Sequence, residues 1–494
     1  MSAMVNTLPD SILLKIFSYL PHTKLANVAV VCKLWRRIAY DGSLWRCVEV
    51  HRLKPHHIEY LTGRRLSRQL KQIVFWRCSI SQENLYCLAE ACPQLQEIFL
   101  RRNTIKQQRV NDVKKKPFFP GLLVLDARDV QGYVSHVVEL IACAPNLERL
   151  AIDGSMDGFF DHDVFRNTPN LRILDCSRCM DVLDEGVAVV AQSCPNLESL
   201  SLMRCYMIEG TTLPFLFESC QSLKSLSVAY THVTNNVICS CDFEQSCLEE
   251  LDISHCPGVG SAAIAYITSK LRDMTYLNIN SCKYGPYGIH RGVLRTIASY
   301  PSLKVLDVDA IAGQDGADEE FVKISEHCKN LEVLRVNKAF ATLTGLKQCL
   351  KNLPNLKRFG IVNHRRDHHD GGMEVQYVLQ TLALHCCKLE TLELSDFRDK
   401  ESNEKTNAFY QLMTHCVRLR KISIFTFNRD MFVMAAEGRI RANKSDIRLV
   451  QPTMICPTPR VVTTLPGRCF DHMVYGDRDE IIYDDDPWRA RKYY

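Results

Sequence analysis

The sequence predicts an α/β fold in which many strand–helix repeats stack side by side behind a short helical segment. A short aliphatic phrase recurs about fourteen times along the chain. Within each phrase the aliphatic residues alternate with variable ones, which is the period of a strand with one buried face. Between phrases the apolar residues follow helical spacing, so each repeat combines one strand with one helix.

The phrase typically has a Cys or Pro shortly before a Leu. This Leu is followed by two variable residues, an aliphatic residue, one variable residue and a second aliphatic residue. Clean copies are Cys194-Pro-Asn-Leu-Glu-Ser-Leu-Ser-Leu202 and Cys328-Lys-Asn-Leu-Glu-Val-Leu-Arg-Val336. We call the first aliphatic residue of the phrase the anchor. The anchors, mostly 24 to 30 residues apart, are Leu70, Leu95, Leu122, Leu147, Leu171, Leu197, Leu223, Leu248, Met274, Leu303, Leu331, Leu356, Leu389 and Leu419.

One strand–helix unit cannot bury its apolar side alone, and stacked neighbours close the core between them. Helical spacing between phrases is clear in Val187, Val190, Ala191 and Cys194. The repeat therefore predicts a leucine-rich-repeat solenoid over residues 70–427, with a parallel sheet on its concave face.

Composition excludes several classes of protein. The 494 residues are 46% apolar and 24% charged, a globular balance that excludes disorder throughout. The formal charge of +5 is too small to indicate a nucleic-acid or membrane-surface protein. The sequence has neither a signal-peptide pattern at its start nor a long apolar run, and its 23 Cys form no disulfide-dense module. We therefore expect a soluble intracellular protein with reduced thiols, in the cytoplasm or the nucleus, without membrane contact.

Eleven of the cysteines recur in register with the repeat. Cys176/Cys179 and Cys239/Cys241 could be read as zinc ligands, and pairs such as His327-Cys328 as a base and a nucleophile. Because the His-Cys pair itself repeats, we interpret the thiols as buried packing residues and expect neither a metal site nor catalytic residues. The cysteines in register are Cys78, Cys179, Cys205, Cys256 and Cys282, eight residues after an anchor, and Cys92, Cys194, Cys220, Cys328, Cys386 and Cys416, three before one.

The front segment, residues 8–45, predicts three short helices. Pro9 and Asp10 suit a first helical turn. So few residues, even with two Trp, make a marginal core that leaves apolar surface exposed, and such surface usually marks a partner site. The apolar stripe of the first helix is Ile12, Leu13, Ile16, Phe17 and Leu20.

This segment resembles the F-box motif at Leu8-Pro9, Ile16-Phe17, Leu20-Pro21, Val31-Cys32, Trp35-Arg36, Asp41 and Leu44-Trp45. Together with the repeats, the chain resembles F-box and leucine-rich-repeat proteins over roughly residues 8–427. The expected domains are an F-box at 1–48, a packed linker at 49–69, about fourteen repeats at 70–427 and a tail with an acidic end at 428–494.

The resemblance implies a substrate receptor of an SCF (cullin-RING) ubiquitin ligase. The F-box would bind the SCF adaptor, and through it the cullin and RING subunits, while the repeats hold the protein to be ubiquitylated. No catalytic residue or cofactor is implied. Ile12 and Ile38 are expected in the module's own core. The residues that would contact the adaptor or set the helices that do are Leu8, Pro9, Ile16, Phe17, Leu20, Pro21, Leu25, Val31, Trp35 and Trp45.

Residues two, four and six positions after each anchor are expected to tile the concave sheet. They are apolar at the front, largely acidic from the third anchor to the tenth, small and polar in the middle, and partly basic at the end. The face is either simply solvated or an acidic trough for a basic or hydrogen-bonding segment of a substrate. The predicted substrate-binding residues are Trp76, Phe99, Asp126, Asp153, Asp175, Asp252, Asp307, Asp309, Arg335 and Arg358.

Four longer repeats predict rim insertions at 282–292, 312–320, 364–372 and 398–407, where solenoids often bind partners. A basic loop at 101–116 lacks interleaved aromatic residues, so nucleic-acid binding is not favoured. The acidic stretch at 471–486 is either part of a disordered tail or docks near that basic loop. An alternative to the receptor is a scaffold or inhibitor that sequesters a partner without ubiquitylation.

Overall fold

The computed structural model describes residues 8–20, 22–64, 66, 68–106, 118–154, 158–161, 164–280, 282, 289–308, 316–337, 342–362, 373–395, 397, 400–425 and 429–450. The chain divides into two compact units, unit 1 (residues 1–207) and unit 2 (residues 208–494). Within the described ranges, no helix has the length and apolar character needed to cross a membrane.

Unit 1 begins with three short helices, which we call the front module. They are α1 (Asp10–Phe17), α2 (His22–Val28) and α3 (Lys33–Ala39), followed by a 3-10 turn at Gly42–Trp45. Asp10 lies in the first turn of α1, as the sequence predicts, whereas Pro9 precedes the helix as its N-cap residue. The Cys32 Sγ accepts the backbone N–H of Trp35 at 3.4 Å and so caps α3.

The sheet of unit 1 contains seven described strands, all parallel. They are β1 (Cys47–His51), β2 (Gln72–Trp76), β4 (Glu97–Phe99), β6 (Val124–Asp126), β7 (Arg149–Ala151), β8 (Ile173–Asp175) and β9 (Ser199–Ser201), in that order. A separate parallel pair consists of β3 (Ser79–Ser81) and β5 (Thr104–Lys106). The connecting helices are α4 (Pro55–Arg64), α5 (Gln82–Ala91), α6 (Val134–Ala142) and α7 (Asp184–Ser193), with 3-10 turns at Phe159–Asp161 and Phe165–Asn167.

Unit 2 repeats the same arrangement with nine described strands in sequence order. They are β10 (Ser225–Ser227), β11 (Glu250–Asp252), β12 (Tyr276–Asn278), β13 (Val305–Asp307), β14 (Val333–Asn337), β15 (Arg358–Val362), β16 (Thr391–Ser395), β17 (Lys421–Phe425) and β18 (Arg448–Val450). Its helices are α8 (Leu213–Ser219), α9 (Asn235–Ser240), α10 (Ser261–Lys270), α11 (Arg291–Leu294), α12 (Asp318–His327), α13 (Leu343–Lys351), α14 (Val375–His385), α15 (Asn403–His415) and α16 (Arg429–Arg441), with a 3-10 turn at Arg295–Ser299.

Both units confirm the predicted fold class of strand–helix repeats with a parallel sheet. All fourteen phrases form strands, and each strand begins two residues after its anchor. All fourteen anchors are at most 2% exposed. Strand pairing in each unit joins equivalent positions of successive phrases, for example Leu251 with Leu277 and Leu277 with Leu306.

Two further strand–helix units lie where the sequence predicts a linker and a tail. Strand β1 pairs with β2 and is followed by α4, inside the predicted F-box end and linker. Strand β18 pairs with β17 after α16, inside the predicted tail. Both were missed because the anchor is not aliphatic: Trp45 stands in its place before β1 and Asp446 before β18. The predicted tail boundary at 428 is therefore wrong, since α16 and β18 form a further strand–helix unit that extends to residue 450.

Several sequence-based expectations fall outside the described residues. These are the tail beyond residue 450, residues 107–116 of the basic loop, and residues 283–288, 312–315, 364–372 and 398–399 of the predicted rim insertions.

The cysteines in register are all buried, which confirms the interpretation of these thiols as packing residues. Those eight residues after an anchor also hold the backbone of the preceding repeat: Cys256 Sγ donates to Val228 O and Cys282 Sγ to Ile253 O, each at 3.1 Å. Burial raises the pKa of Cys220 to about 11 and that of Cys328 to about 12, so both thiols stay protonated at neutral pH.

We expect Cys194, Cys220 and Cys328 to resist alkylation in the native protein and to react on unfolding, because a buried thiol offers little thiolate and no access. Exposed Cys239 and Cys387 provide an internal control for reagent activity. Mass spectrometry after a short native pulse measures the label at each site. Labelling of the three buried thiols as fast as that of Cys239 contradicts the prediction.

Candidate functional site

The inner face of α1 packs on α3 through aromatic residues. Phe17 is buried and meets the Trp35 ring edge-on, with centroids 5.4 Å apart and planes at 74°. Leu13 is buried on the same face. The indole N–H of Trp45 donates to Ala39 O at 2.8 Å, which ties the 3-10 turn to the end of α3. The front module therefore has a small core of its own.

The outer face of α1 is apolar as well. Ile12 and Ile16 are 46% and 45% exposed and Tyr19, in the turn after the helix, is 75% exposed. Their spacing of four and three residues places them on one side. We call these three residues the outer apolar face. Val30 and Val31, between α2 and α3, are also exposed. A short helix that is apolar on two sides leaves one of them without cover in its own module.

The predicted adaptor residues separate into a surface group and an internal group. Pro9, Ile16 and Val31 are exposed, and Leu8, Leu20 and Trp35 are half-buried. Phe17, Leu25 and Trp45 are buried and set the positions of the helices. Pro21 lies outside the described residues.

Ile38 lies in the core as expected, whereas the expectation for Ile12 is wrong. The sequence places Ile12 in one stripe with Leu13 and Phe17, but the helix turns those two inward and Ile12 outward. Ile12, Tyr19 and Val30 were missed as surface residues. The available signal was the number of apolar residues in α1, which exceeds what one face can hold.

The front module is joined directly to the first repeats of unit 1. The backbone N–H groups of Lys71 and Gln72 donate to Arg46 O at 2.8 and 3.0 Å. Gly42 provides space for the side chain of Gln69, because a Cβ at Gly42 would lie 2.5 Å from Gln69 Oε1. These contacts position the outer apolar face relative to the start of the sheet.

The predicted substrate-binding residues lie on the sheet face as expected, but most are buried. Trp76 and Arg358 are half-buried, and Asp309 lies outside the described residues. The close spacing of parallel strands packs the side chains of one row against those of the next. The buried members are Phe99, Asp126, Asp153, Asp175, Asp252, Asp307 and Arg335.

Arg128 pairs with two of the predicted acidic residues in unit 1. Its guanidinium donates to both carboxylate oxygens of Asp126, at 2.8 Å from Nε to Oδ1, and reaches Asp175 Oδ2 at 3.3 Å from Nη1. The arginine spans β7, where the residue in register is the small Ala151. All three charged side chains are buried.

Arg335 does the same in unit 2. It donates from Nη1 to Asp307 Oδ2 at 2.6 Å and from Nε to Glu393 Oε2 at 2.9 Å. The ion pair between Arg335 and Glu393 crosses β15, where Gly360 is in register with both residues. A Cβ at Gly360 would lie 2.8 Å from Arg335 Cγ and 3.1 Å from its Nε. The glycine therefore makes room for the ion pair.

These two networks correct the predicted acidic trough. Asp126, Asp175 and Asp307 are each paired with a buried arginine, so part of the negative charge expected on this face is already offset. Arg128 follows Asp126 by only two residues, but Asp175 lies two strands from Arg128 and Asp307 lies one strand from Arg335. Only the strand register brings these last two pairs together. Whether the predicted residues touch a substrate stays a prediction.

Asp252 differs from the other buried acidic residues. It accepts Ser254 N–H at 3.0 Å and the Ser254 hydroxyl at 2.7 Å, and no basic side chain of the described residues pairs with it. Burial raises the pKa of Asp252 to about 6, with Asp307 adding repulsion. The neighbouring Tyr276 is also buried, and the side chain of Asn278 interacts with both Asp252 and Tyr276. Asp252 is thus a buried carboxylate on this face whose charge no basic side chain of the described residues offsets.

The alternative readings of the cysteines find no geometric support. Cys176 and Cys179 are buried, and burial raises the pKa of both thiols well above the usual value. Across the described ranges, no three His, Cys, Asp or Glu side chains are grouped so that they could hold a metal ion.

Comparisons with known proteins identify the front module. Residues 5–51 match the F-box-like family model. Over 108 residues the chain is 31% identical to F-box/LRR-repeat protein 12 of Homo sapiens, a match that covers 20% of this chain and 33% of the human protein. The Bos taurus protein of that name is 29% identical over 103 residues, 19% of this chain and 32% of its own. The chain therefore spans about a third of the length of the curated relatives it matches.

Two solved structures are also similar. A chain of the yeast Rad7 and Elc1 complex is 16% identical, with a TM-score of 0.48, and the match covers 78% of this chain and 88% of that one. A leucine-rich-repeat protein of Leptospira interrogans is 14% identical, with a TM-score of 0.36, covering 83% and 91%.

The front module is an F-box-like domain, and it is followed by strand–helix repeats with buried leucine anchors. The resemblance to F-box and leucine-rich-repeat proteins is thereby confirmed.

We predict that Arg335→Ala lowers the free energy of unfolding of unit 2 by roughly 3–5 kcal/mol, because it leaves Asp307 and Glu393 buried without a cation. Gly360→Ala should also destabilise the unit by forcing the ion pair apart. Arg358→Ala, on the same face but half-buried and without an ion pair among the described residues, is the control. Denaturant unfolding followed by hydrogen exchange within unit 2 measures the effect. Equal stability of the Arg335 and Arg358 variants contradicts it.

We also predict that Asp252 makes stability depend on pH. Its folded pKa lies above that of an unfolded Asp, so the folded state binds more protons, and the free energy of unfolding falls as pH rises from about 4 through about 6. Asp252→Asn should remove this fall and be more stable than wild type at pH 7 by roughly 2 kcal/mol, with no difference at low pH. Asp273→Asn, at an exposed site, is the control. Parallel pH profiles of wild type and Asp252→Asn refute the prediction.

Proposed function

We propose that the protein is a non-catalytic substrate receptor of an SCF (cullin-RING) ubiquitin ligase. The observation that carries this proposal is the outer apolar face of α1, exposed on an F-box-like module that is joined to leucine-rich repeats. The module binds the SCF adaptor, the adaptor brings the cullin and RING subunits, and the repeats hold a protein substrate.

Adaptor binding would cover the outer apolar face together with Pro9, Val31 and the half-buried Leu8, Leu20 and Trp35. Burying such aliphatic and aromatic side chains is favourable by about 25 cal/mol per Å² of apolar surface. The cost of exposing Ile12 and Ile16 in the isolated chain is then recovered in the complex. The internal residues Phe17, Leu25 and Trp45 keep the module in the shape that presents this surface.

The receptor contributes no chemical step. It raises the effective concentration of a substrate lysine near a conjugating enzyme held elsewhere in the assembly. The hydrogen bonds from Lys71 and Gln72 to Arg46 support this role, because they hold the front module on the first repeats. No cofactor or metal is proposed.

The substrate would bind the sheet face of the repeats. In unit 2 the candidate contact is Asp252, a buried carboxylate that has no basic partner among the described residues. A lysine or arginine side chain of the substrate fits this position by charge. Unlike Asp252, which is buried, the predicted contacts Trp76 in unit 1 and Arg358 in unit 2 are partly accessible.

The proposed site of action is the cytoplasm or the nucleus, where the cysteines stay reduced. The alternative function is a scaffold or inhibitor that uses the same two surfaces without ubiquitylation. Affinity capture under proteasome inhibition separates the two. Ubiquitylated partners that accumulate with the wild-type chain and not with an adaptor-binding variant support a receptor, whereas partners held without ubiquitylation support a scaffold.

We expect Ile16→Asp to weaken adaptor capture by at least about thirtyfold, since truncating or charging an interface anchor commonly costs 2 kcal/mol or more. Leu8→Ala with Pro9→Ala should act in the same direction. The thermal midpoint should stay near that of wild type, because Ile16 is half exposed. The measurement is titration of purified adaptor against the full chain.

Val189→Asp is the matched control for this substitution, because Val189 is an exposed apolar residue on a repeat helix of unit 1. It should bind the adaptor as wild type does. Full adaptor binding by Ile16→Asp, or an equal loss in Val189→Asp, sinks the proposal.

A further inference from the structure

Unit 1 contains an unusual set of arginines at the ends of its strands. Six described non-glycine residues of unit 1 have a positive φ, and five of them are arginines. Three lie at equivalent positions of β1, β2 and β4: Arg52 (φ 55°), Arg77 (φ 52°) and Arg102 (φ 58°). We call these three the arginine row. Left-handed backbone favours Gly and Asn, so backbone preference does not explain arginine here.

The arginine row also places like charges side by side. The register continues from His51 opposite Trp76 and from Val74 opposite Phe99, so the three arginines follow one another at about 4.8 Å per strand. Like charges directly opposite on neighbouring strands are destabilising. Two unfavourable features therefore coincide at the same three residues.

Little within the described residues offsets this charge. Arg52 and Arg77 are exposed, and neither pairs with an acidic residue of the described chain. Arg102 lies 3.8 Å from Asp129 and 5.3 Å from the centroid of the Trp76 ring. Exposed Lys54 and Lys106 add further positive charge next to the row. The arginine row therefore places three guanidinium groups on neighbouring strands, with hydrogen-bond donors available to a ligand.

The backbone under the arginine row is held firmly. Arg52 N–H donates to Trp76 O at 2.9 Å, and the buried Asn103 side chain accepts Cys78 N–H at 2.6 Å and donates to Phe75 O at 2.8 Å. The left-handed turns are therefore built into the repeat. Only the choice of side chain at these positions is free.

We propose that Arg52, Arg77 and Arg102 form a binding site for a phosphate monoester, carried by a phosphoserine or phosphothreonine of the protein substrate. A phosphate carries about −1.5 to −2 charge and three acceptor oxygens, which suits several adjacent guanidinium groups better than a single carboxylate does. This inference rests on the proposed receptor function and names a chemical feature of its substrate.

Nucleic acid fits the site less well. Three strands span only about 10 Å, whereas single-stranded nucleic acid is usually held over several nucleotides with bases stacked on aromatic rings. Trp76 is the aromatic side chain at the row, and the guanidinium of Arg102 lies over its ring. A single phosphate on a peptide needs neither a long groove nor a free ring.

The test uses the full chain and fluorescein-labelled peptides with randomised flanks around a central phosphoserine, compared with Ser and Glu at the centre. We expect the phosphoserine peptides to bind at least about tenfold more tightly than the other two, competed by inorganic phosphate and weakened by salt. The double variant Arg52→Asn, Arg77→Asn should lose at least about tenfold of that affinity.

The asparagine variants separate a binding role from a structural one. Asn tolerates left-handed backbone better than Arg, so these variants should be at least as stable as wild type. Arg272→Asn, at an exposed arginine in unit 2, should leave binding unchanged. The double variant should still capture the SCF adaptor, and Ile16→Asp should still bind the phosphopeptide, so failure of this site and failure of the receptor proposal are distinguishable.

Equal affinity for the phosphoserine, Ser and Glu peptides overturns the proposal. Undiminished binding by the double variant overturns it as well. Binding of single-stranded RNA that depends on Arg52 and Arg77, without phosphopeptide binding, reassigns the arginine row to nucleic acid. Competition by inorganic phosphate alone, without preference for the phosphoserine peptide, shows a site for free phosphate and also overturns it.

Discussion

The repeats depend on the burial of one anchor side chain per strand–helix unit. No single strand–helix repeat encloses its own anchor, so each repeat relies on its neighbours. The anchors in unit 1 and in unit 2 are almost completely buried. This constraint fixes the register of successive strands, since a shift by one residue would turn every anchor to the other face. Equivalent positions of the phrase consequently form rows across the sheet.

The rows explain features that look unrelated along the chain. In unit 2, Cys256 and Cys282 follow successive anchors by eight residues, and their buried thiols donate hydrogen bonds to backbone carbonyls. Arg128 links carboxylates on β6 and β8 across the small Ala151 in one unit, and Arg335 reaches Glu393, two strands away, across Gly360 in the other. The arginine row follows from the same register at the strand ends. Each row acts through the chemistry of one position repeated at strand spacing.

Electrostatics on the sheet face is governed by burial. An unpaired buried carboxylate is costly, and the two arginine networks reduce that cost for Asp126, Asp175, Asp307 and Glu393. Asp252 is buried without such an arginine among the described residues, and this burial raises the pKa of its carboxyl group. The front module has an unfavourable feature of the opposite kind, because Ile12, Ile16 and Tyr19 are large and hydrophobic but exposed. Unfavourable features of this kind on a folded chain are consistent with binding partners.

The sequence alone determined the repeat, the parallel strands, the buried cysteines and the F-box-like segment, because each depends on local periodicity or on a contiguous motif. It missed β1 and β18, where Trp45 and Asp446 replace the aliphatic anchor. The tertiary structure alone decided which apolar residues of α1 face outward, since the helix carries more of them than one face can bury. It also decided which charges on the sheet are paired. Partners such as Arg335 and Glu393 are 58 residues apart in the chain, and only the strand register brings them within hydrogen-bonding distance.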